Sequence, residues 1–258
     1  MSENREKVRI KYYEDNMSKF QHILAYIVYA IAIGAVFYIY YHILWISIIG
    51  GLVIAIWQEK NYSKSVMKKR QSKLRMQFNE FLDVISISIS GGAGRSMENA
   101  VKDSISELRM LFSDKSDIVR EIELIVSDYE RAGIPMKQGF MELGKRSELE
   151  DIISFATVYA TIEGKTSDFG YIITQTHEII KDKMEITMEI ETNITSAKSE
   201  AYMMLVLPLI LIVVMGSMGG GLMDSLFQTL TGRLAATFGL ACTLVSYVIA
   251  TKATQIEV

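Results

Sequence analysis

Cysteine and proline are almost missing from this chain of 258 residues, which holds one Cys, two Pro and three His. A lone Cys242 excludes a disulfide within the chain and any thiolate metal cluster. His22, His42 and His177 are too scattered to suggest paired metal ligands, and interfacial or surface positions are expected for all three. Between Gln58 and Glu200 the single proline is Pro135, so glycine and capping residues must do most of the helix punctuation there. Charge is missing in blocks. From Ile23 to Trp57, from Ala201 to Gly221 and from Leu234 to Thr251 no Asp, Glu, Lys or Arg occurs. A membrane-spanning helix needs about 20 mostly apolar residues, and roughly 17 suffice. The chain therefore reads as embedded at both ends, with a large soluble middle. No small-residue cleavage site follows the first apolar run, which reads as an uncleaved anchor.

What surrounds the apolar runs sets the number of crossings. Arg5, Lys7, Arg9, Lys11 and Lys19 precede the first run, and Lys60, Lys64, Lys68, Lys69, Arg70, Lys73 and Arg75 follow it. Cytoplasmic flanks collect Lys and Arg, so both flanks want the same side, which only an even number of crossings allows. The run is read as a tight helical hairpin turning near Tyr40-Tyr41-His42. The alternative, one long tilted helix, places one basic cluster on the wrong side. At the other end the loop between the apolar runs carries only Asp224 and Arg233, and Lys252 follows the last run. The expected layout is a cytoplasmic segment at 1–22, a transmembrane hairpin at 23–57 and a cytoplasmic helical domain at 58–200. A third span at 201–221, an external loop at 222–233, a fourth span at 234–251 and a cytoplasmic tail at 252–258 complete it. The expected class is an all-α membrane protein.

The middle is patterned for about six helices. Leu74, Phe78, Phe81, Ile85 and Ile89 recur every three or four residues and mark one apolar face. Gly91-Gly92-Ala93-Gly94 should end that helix, and Ser96 should cap the next, whose apolar face is Met97, Ala100, Val101, Leu108 and Leu111. Ser116-Asp117 opens a helix through Ile118, Ile122, Ile125 and Tyr129, which Gly133 should close. Pro135 suits the first turn of a short helix bearing Met136, Phe140 and Leu143. Ser147-Glu148-Leu149-Glu150 has capping-box spacing ahead of Ile152, Ile153, Ala156, Tyr159 and Ala160. A last helix from about Ser167 meets no breaker between Ile186 and Leu207 and should run on into the third span, where Pro208 is expected to kink it.

Charge is uneven. Residues 60–75 hold seven basic and no acidic groups, which suits anchoring at anionic headgroups. Residues 76–200 hold 13 basic and 23 acidic groups, a balance of −10 that reads either as a solvated surface or as a face for a basic protein partner and gives no support to nucleic-acid binding. Chemistry is hard to find. Gly164-Lys165-Thr166 imitates the end of a phosphate loop, but Tyr159 stands where the first glycine belongs and a helical stretch leads in where a strand should. None of the carboxylates lies in a span, which weighs against an ion-coupled transporter. No residue is assigned a catalytic, cofactor-binding or metal-binding role.

These residues, taken in order, resemble a known family. Phe81-Leu82-Asp83-Val84-Ile85 leading to residues 91–101, Arg131-Ala132-Gly133-Ile134-Pro135-Met136, and Glu163-Gly164-Lys165-Thr166-Ser167 before a long exit helix are similar to the helical turns of its cytoplasmic domain. The family is the type II secretion F-domain and type IV pilus inner-membrane platform proteins, with the shorter Tad/Flp pilus assembly branch the nearest likeness. The likeness runs from about Phe78 to Pro208. Lys165 departs from it, standing where a second glycine is usual, and the chain has room for one cytoplasmic domain where longer members carry two. The resemblance implies a non-enzymatic platform in the inner membrane, with both termini cytoplasmic and no cofactor. Its implied partners are a hexameric secretion ATPase, pilin or pseudopilin subunits, membrane lipid, and a paralogous platform or a second copy of itself. The reading from another class is a membrane-anchored receptor or signalling scaffold whose helical domain recruits a soluble partner.

Overall fold

The computed structural model describes residues 10–13, 19–90, 96–162, 169–217 and 229–253. All regular structure among them is helical. Among the described residues eight helices follow in chain order: α1 (Lys19–Tyr41), α2 (Leu44–Ser90), α3 (Met97–Leu111), α4 (Asp117–Ala132), α5 (Met136–Ser147), α6 (Glu150–Ile162), α7 (Phe169–Ser217) and α8 (Leu230–Ala253). The chain divides into two compact units. The first holds residues 1–16 and 64–185, the second residues 17–63 and 186–258, so the division falls inside α2 and α7.

The first unit has its own core. The face marked by Leu74, Phe78, Phe81, Ile85 and Ile89 is buried along its whole length, as its spacing predicts. Phe78, Phe81, Phe140, Phe155 and Tyr159 meet at its centre with ring centroids 5.3–6.5 Å apart, mostly edge to face or tilted, the geometries that ring quadrupoles favour. The punctuation is local chemistry. Ser96 caps α3 by accepting from the Asn99 N–H, and Gly133 closes α4 in the left-handed conformation at φ 65°. Its N–H and that of Ile134 reach back to the Tyr129 and Asp128 carbonyls, which would otherwise be orphaned at the helix end.

Ser116 and Asp117 open α4 as expected, and buried Gln77, reaching from α2, accepts from the Ile118 N–H. Three expectations shift. Pro135 occupies the N-cap of α5, one residue before the first turn. The expected capping box does not form. Ser147 is the last residue of α5 and its hydroxyl donates to the Gly144 carbonyl, while Glu148 takes a left-handed conformation at φ 55° and α6 starts at Glu150. Leu111 is exposed, because α3 ends there and the chain leaves its buried face.

The second unit inverts this pattern. Among the described residues α1, α7 and α8 contain stretches long and apolar enough to cross a membrane, and their side chains are almost entirely unburied. The apolar stretch of α2, Leu44–Ile56, is shorter. The hairpin turn falls where expected, with His42 at φ 50° between α1 and α2. Glycines bring the two limbs together: a Cβ on Gly51 would lie 2.7 Å from the Ala30 carbonyl oxygen and 3.1 Å from the Gly34 Cα, so only glycine fits that contact. α7 continues without a break from the first unit through Pro208 to Ser217. The expected loops at Gly91–Gly94, Gly164–Thr166 and 222–228 lie outside the described residues.

Candidate functional site

The most elaborate polar arrangement is in the first unit, where the N-terminal residues Ile10 to Tyr13 lie as a strap across α2, α4 and α5. Tyr12 is 1% exposed. Its N–H donates to the Arg146 carbonyl (2.9 Å), and Arg146 Nη1 donates back to the Ile10 carbonyl (2.9 Å). Its hydroxyl donates to Glu121 Oε1 at 3.0 Å, and its ring lies under the Arg70 guanidinium, 5.1 Å from the centroid. Burial, followed by the negative charges of Glu121 and Asp117 and the hydrogen bond to Glu121, holds the phenol above its ordinary range. It therefore stays a neutral donor at any physiological pH.

Two forked ion pairs frame the strap. Arg146, in the last turn of α5, grips the fully buried Glu121 through Nη1–Oε1 (3.1 Å) and Nη2–Oε2 (2.6 Å). Arg70 grips Asp117 through Nε–Oδ2 (3.2 Å) and Nη2–Oδ1 (2.9 Å), which holds its guanidinium still more firmly protonated. Planar guanidinium matches carboxylate two bonds at a time, and such pairs fix orientation as well as charge. Three donors face the buried Glu121 carboxyl group, two from Arg146 and one from Tyr12. The chemistry here is clamping.

A second ionic group joins α2, α6 and the first turns of α7. Arg75 Nε lies 3.0 Å from Asp151, and Lys183 lies 3.1 Å from Asp151 and 3.4 Å from Glu150, which raises the ammonium pKa. His177 Nε2 is 3.3 Å from Asp83 Oδ1 but out of line for a hydrogen bond. Burial lowers the imidazole pKa, against the pull of Asp83.

Several expectations change on this geometry. His177 is buried between α2 and α7 and not at the surface, because α7 packs that face onto Asp83. Arg70 and Arg75, counted in the basic run for headgroup anchoring, are committed to carboxylates inside the first unit, while Lys64, Lys68, Lys69 and Lys73 stay exposed. Cys242 is exposed on α8. Among the described residues no three His, Cys, Asp or Glu side chains gather where they could hold a metal ion. The strap itself was missed in sequence: 109 residues separate Tyr12 from Glu121, and an isolated aromatic between charged residues carries no periodic signal. No family model, curated protein or solved structure matches this chain. The resemblance drawn from the helix turns therefore stands on the sequence alone.

Proposed function

We propose that this chain is an inner-membrane platform of a Tad/Flp-like pilus or type II secretion-related machine, coupling a cytoplasmic ATPase to extraction and assembly of pilin subunits. The observation that carries the reading is the strap. Residues 10–13 and 64–185 share one core, so they lie on the same side of any membrane the protein occupies. Residues 19–63 must then leave and return on that side, which agrees with the basic flanks at both ends of the first apolar run. Four apolar limbs, an N-terminal pair and a C-terminal pair, keep both termini and the helical unit cytoplasmic.

The helical unit suits a docking role. Its arginines at 70, 75 and 146 are turned inward onto carboxylates, Asp114 and Glu150 reach into solvent, and residues 76–200 carry the balance of −10. A basic face on the ATPase would recognise it, with binding that weakens as salt rises. α7 carries the unit's last helix without interruption into an apolar stretch, so a push on the docked face passes into the membrane.

The test is co-purification of the full-length protein in detergent with a cytoplasmic hexameric ATPase encoded beside it, over a salt series, together with ATP turnover by each protein alone. The platform reading expects salt-sensitive capture and turnover by the ATPase only. Turnover by this chain would overturn it. Capture of a signalling protein in place of the ATPase would favour the receptor or scaffold reading.

A further inference from the structure

The walls around Tyr12 are held by the helical unit itself and not by the strap. Arg70 is pinned to Asp117 by two bonds, and Arg146 to Glu121 by two more. Gln71 Nε2 donates to the Ser147 carbonyl at 2.9 Å and joins α2 to the end of α5. Side chains fixed in this way form a cleft before anything enters it, which lowers the cost of binding.

What the cleft reads is short. From the backbone it takes the Tyr12 N–H, accepted by the Arg146 carbonyl, and the Ile10 carbonyl, which accepts from Arg146 Nη1. The Arg146 carbonyl is among the last four of α5, which have no partner along their own helix, so it favours an incoming N–H. From the side chains it takes a phenol, whose hydroxyl meets Glu121 and whose ring meets the Arg70 guanidinium. Ile10 rests against the core, while Lys11 and Tyr13 are exposed. The recognising contacts are thus made to three consecutive residues. Residues 14–18 separate the strap from α1, a tether of at most about 20 Å when fully extended. Every copy of the chain carries the same strap and the same cleft, and the contacts are identical in cis and in trans. Exchange between copies therefore differs from the closed form chiefly in effective concentration.

We propose that the cleft between α2, α4 and α5 is a receptor site for a short tyrosine-bearing peptide segment. The chain's own strap fills it in the isolated molecule, and the strap of a second copy fills it when copies stand side by side. The tether sets the range, since the receiving cleft must lie within about 20 Å of the donor's Lys19. Exchange ties each helical unit to the first helix of its neighbour. This goes beyond the platform reading and does not depend on it.

The probe is a fluorescent peptide copying Val8 to Glu14, added to the full-length protein in detergent. In one preparation a protease site inserted between Tyr13 and Lys19 is cut after folding, so the strap starts in place but untethered. In another, Tyr12→Ala leaves the cleft open. Both are expected to bind the peptide saturably. A peptide with Phe in place of Tyr12 should bind about tenfold more weakly, because it gives up the hydrogen bond to Glu121. The uncut native protein should bind little at micromolar peptide, since its tethered strap competes at an effective concentration of about a millimolar. No saturable binding to the cut protein, which folded with its strap in place, would overturn the receptor site. Equal binding of the two peptides would overturn its preference for tyrosine. Exchange is read in membranes holding two differently tagged copies that carry Tyr13→p-benzoylphenylalanine. Light should give adducts between the two tags that map to residues 117–147 and vanish with Tyr12→Ala. Adducts confined to single chains would overturn exchange between copies.

Discussion

The two units use the same apolar residue types in opposite senses. In the first, Phe78, Phe81, Phe140 and Phe155 are at most 1% exposed, whereas in the second Met203, Leu207 and Val213 remain half or more exposed. What separates them is the spacing of charge. Where charged residues return every few positions, a helix has one apolar stripe and must bury it against neighbours. Where charge is absent for 17 residues or more, the helix is apolar all round, and its outer surface is matched only by lipid. The polar groups follow the same division: forked ion pairs in the first unit, and hydroxyl contacts such as Tyr40–Thr243 in the second.

The comparison breaks hardest at the clamp. Arg146→Ala leaves the buried Glu121 with only Tyr12 to face it, and loss of one partner of a buried pair costs about 3–5 kcal/mol. The melting transition of the purified protein in detergent should fall sharply, and an unchanged transition would mean that Glu121 is not held as described. Phe155→Ala removes a ring from the centre of the aromatic cluster, for a loss of about 3–5 kcal/mol. The matched change in the second unit, Leu207→Ala on an exposed apolar surface, should cost about 0.5 kcal/mol or less. Equal effects at the two sites would erase the distinction between the units.

Smaller effects sharpen it. Gly133→Val puts a β-branched residue at φ 65°, where it costs about 1 kcal/mol or more although a Cβ would meet no neighbour there. A melt that did not move would show that the left-handed cap is not under strain. The smallest is a pH effect at His177. Burial depresses its pKa, so the unfolded chain binds the proton more readily than the folded one. The site's contribution is full above the free imidazole value of about 6.5 and is lost as pH falls through that value toward the lower folded one. The groups facing it are Asp83, Lys181, Glu178 and Glu80. Between pH 7 and 5 the melting temperature should drop more steeply for the native protein than for His177→Gln, and parallel slopes would assign the drop to other groups.

Much of the first unit was legible because its signals are local. Ser96 and Gly133 act within one helical turn of themselves, and the Leu74-to-Ile89 stripe needs only its own period to be read. Signals failed where a distant residue intervened. Gln77 reaches across from α2 to accept from the first turn of α4, and Ser147 closes one helix where its spacing with Glu150 suggested opening the next. The strap depends on pairings 109 and 136 residues apart.

The central claim is that the N-terminal strap and the helical unit share one side of the membrane, and sidedness of labelling at two points tests it most directly. In a Cys242→Ser background, Lys11→Cys reports the strap and Ser113→Cys the α3–α4 loop, both at exposed positions. The account expects both thiols to be protected from an impermeant maleimide in intact spheroplasts and both to react in inverted membrane vesicles. One thiol reacting in spheroplasts while the other reacts only in inverted vesicles would contradict it.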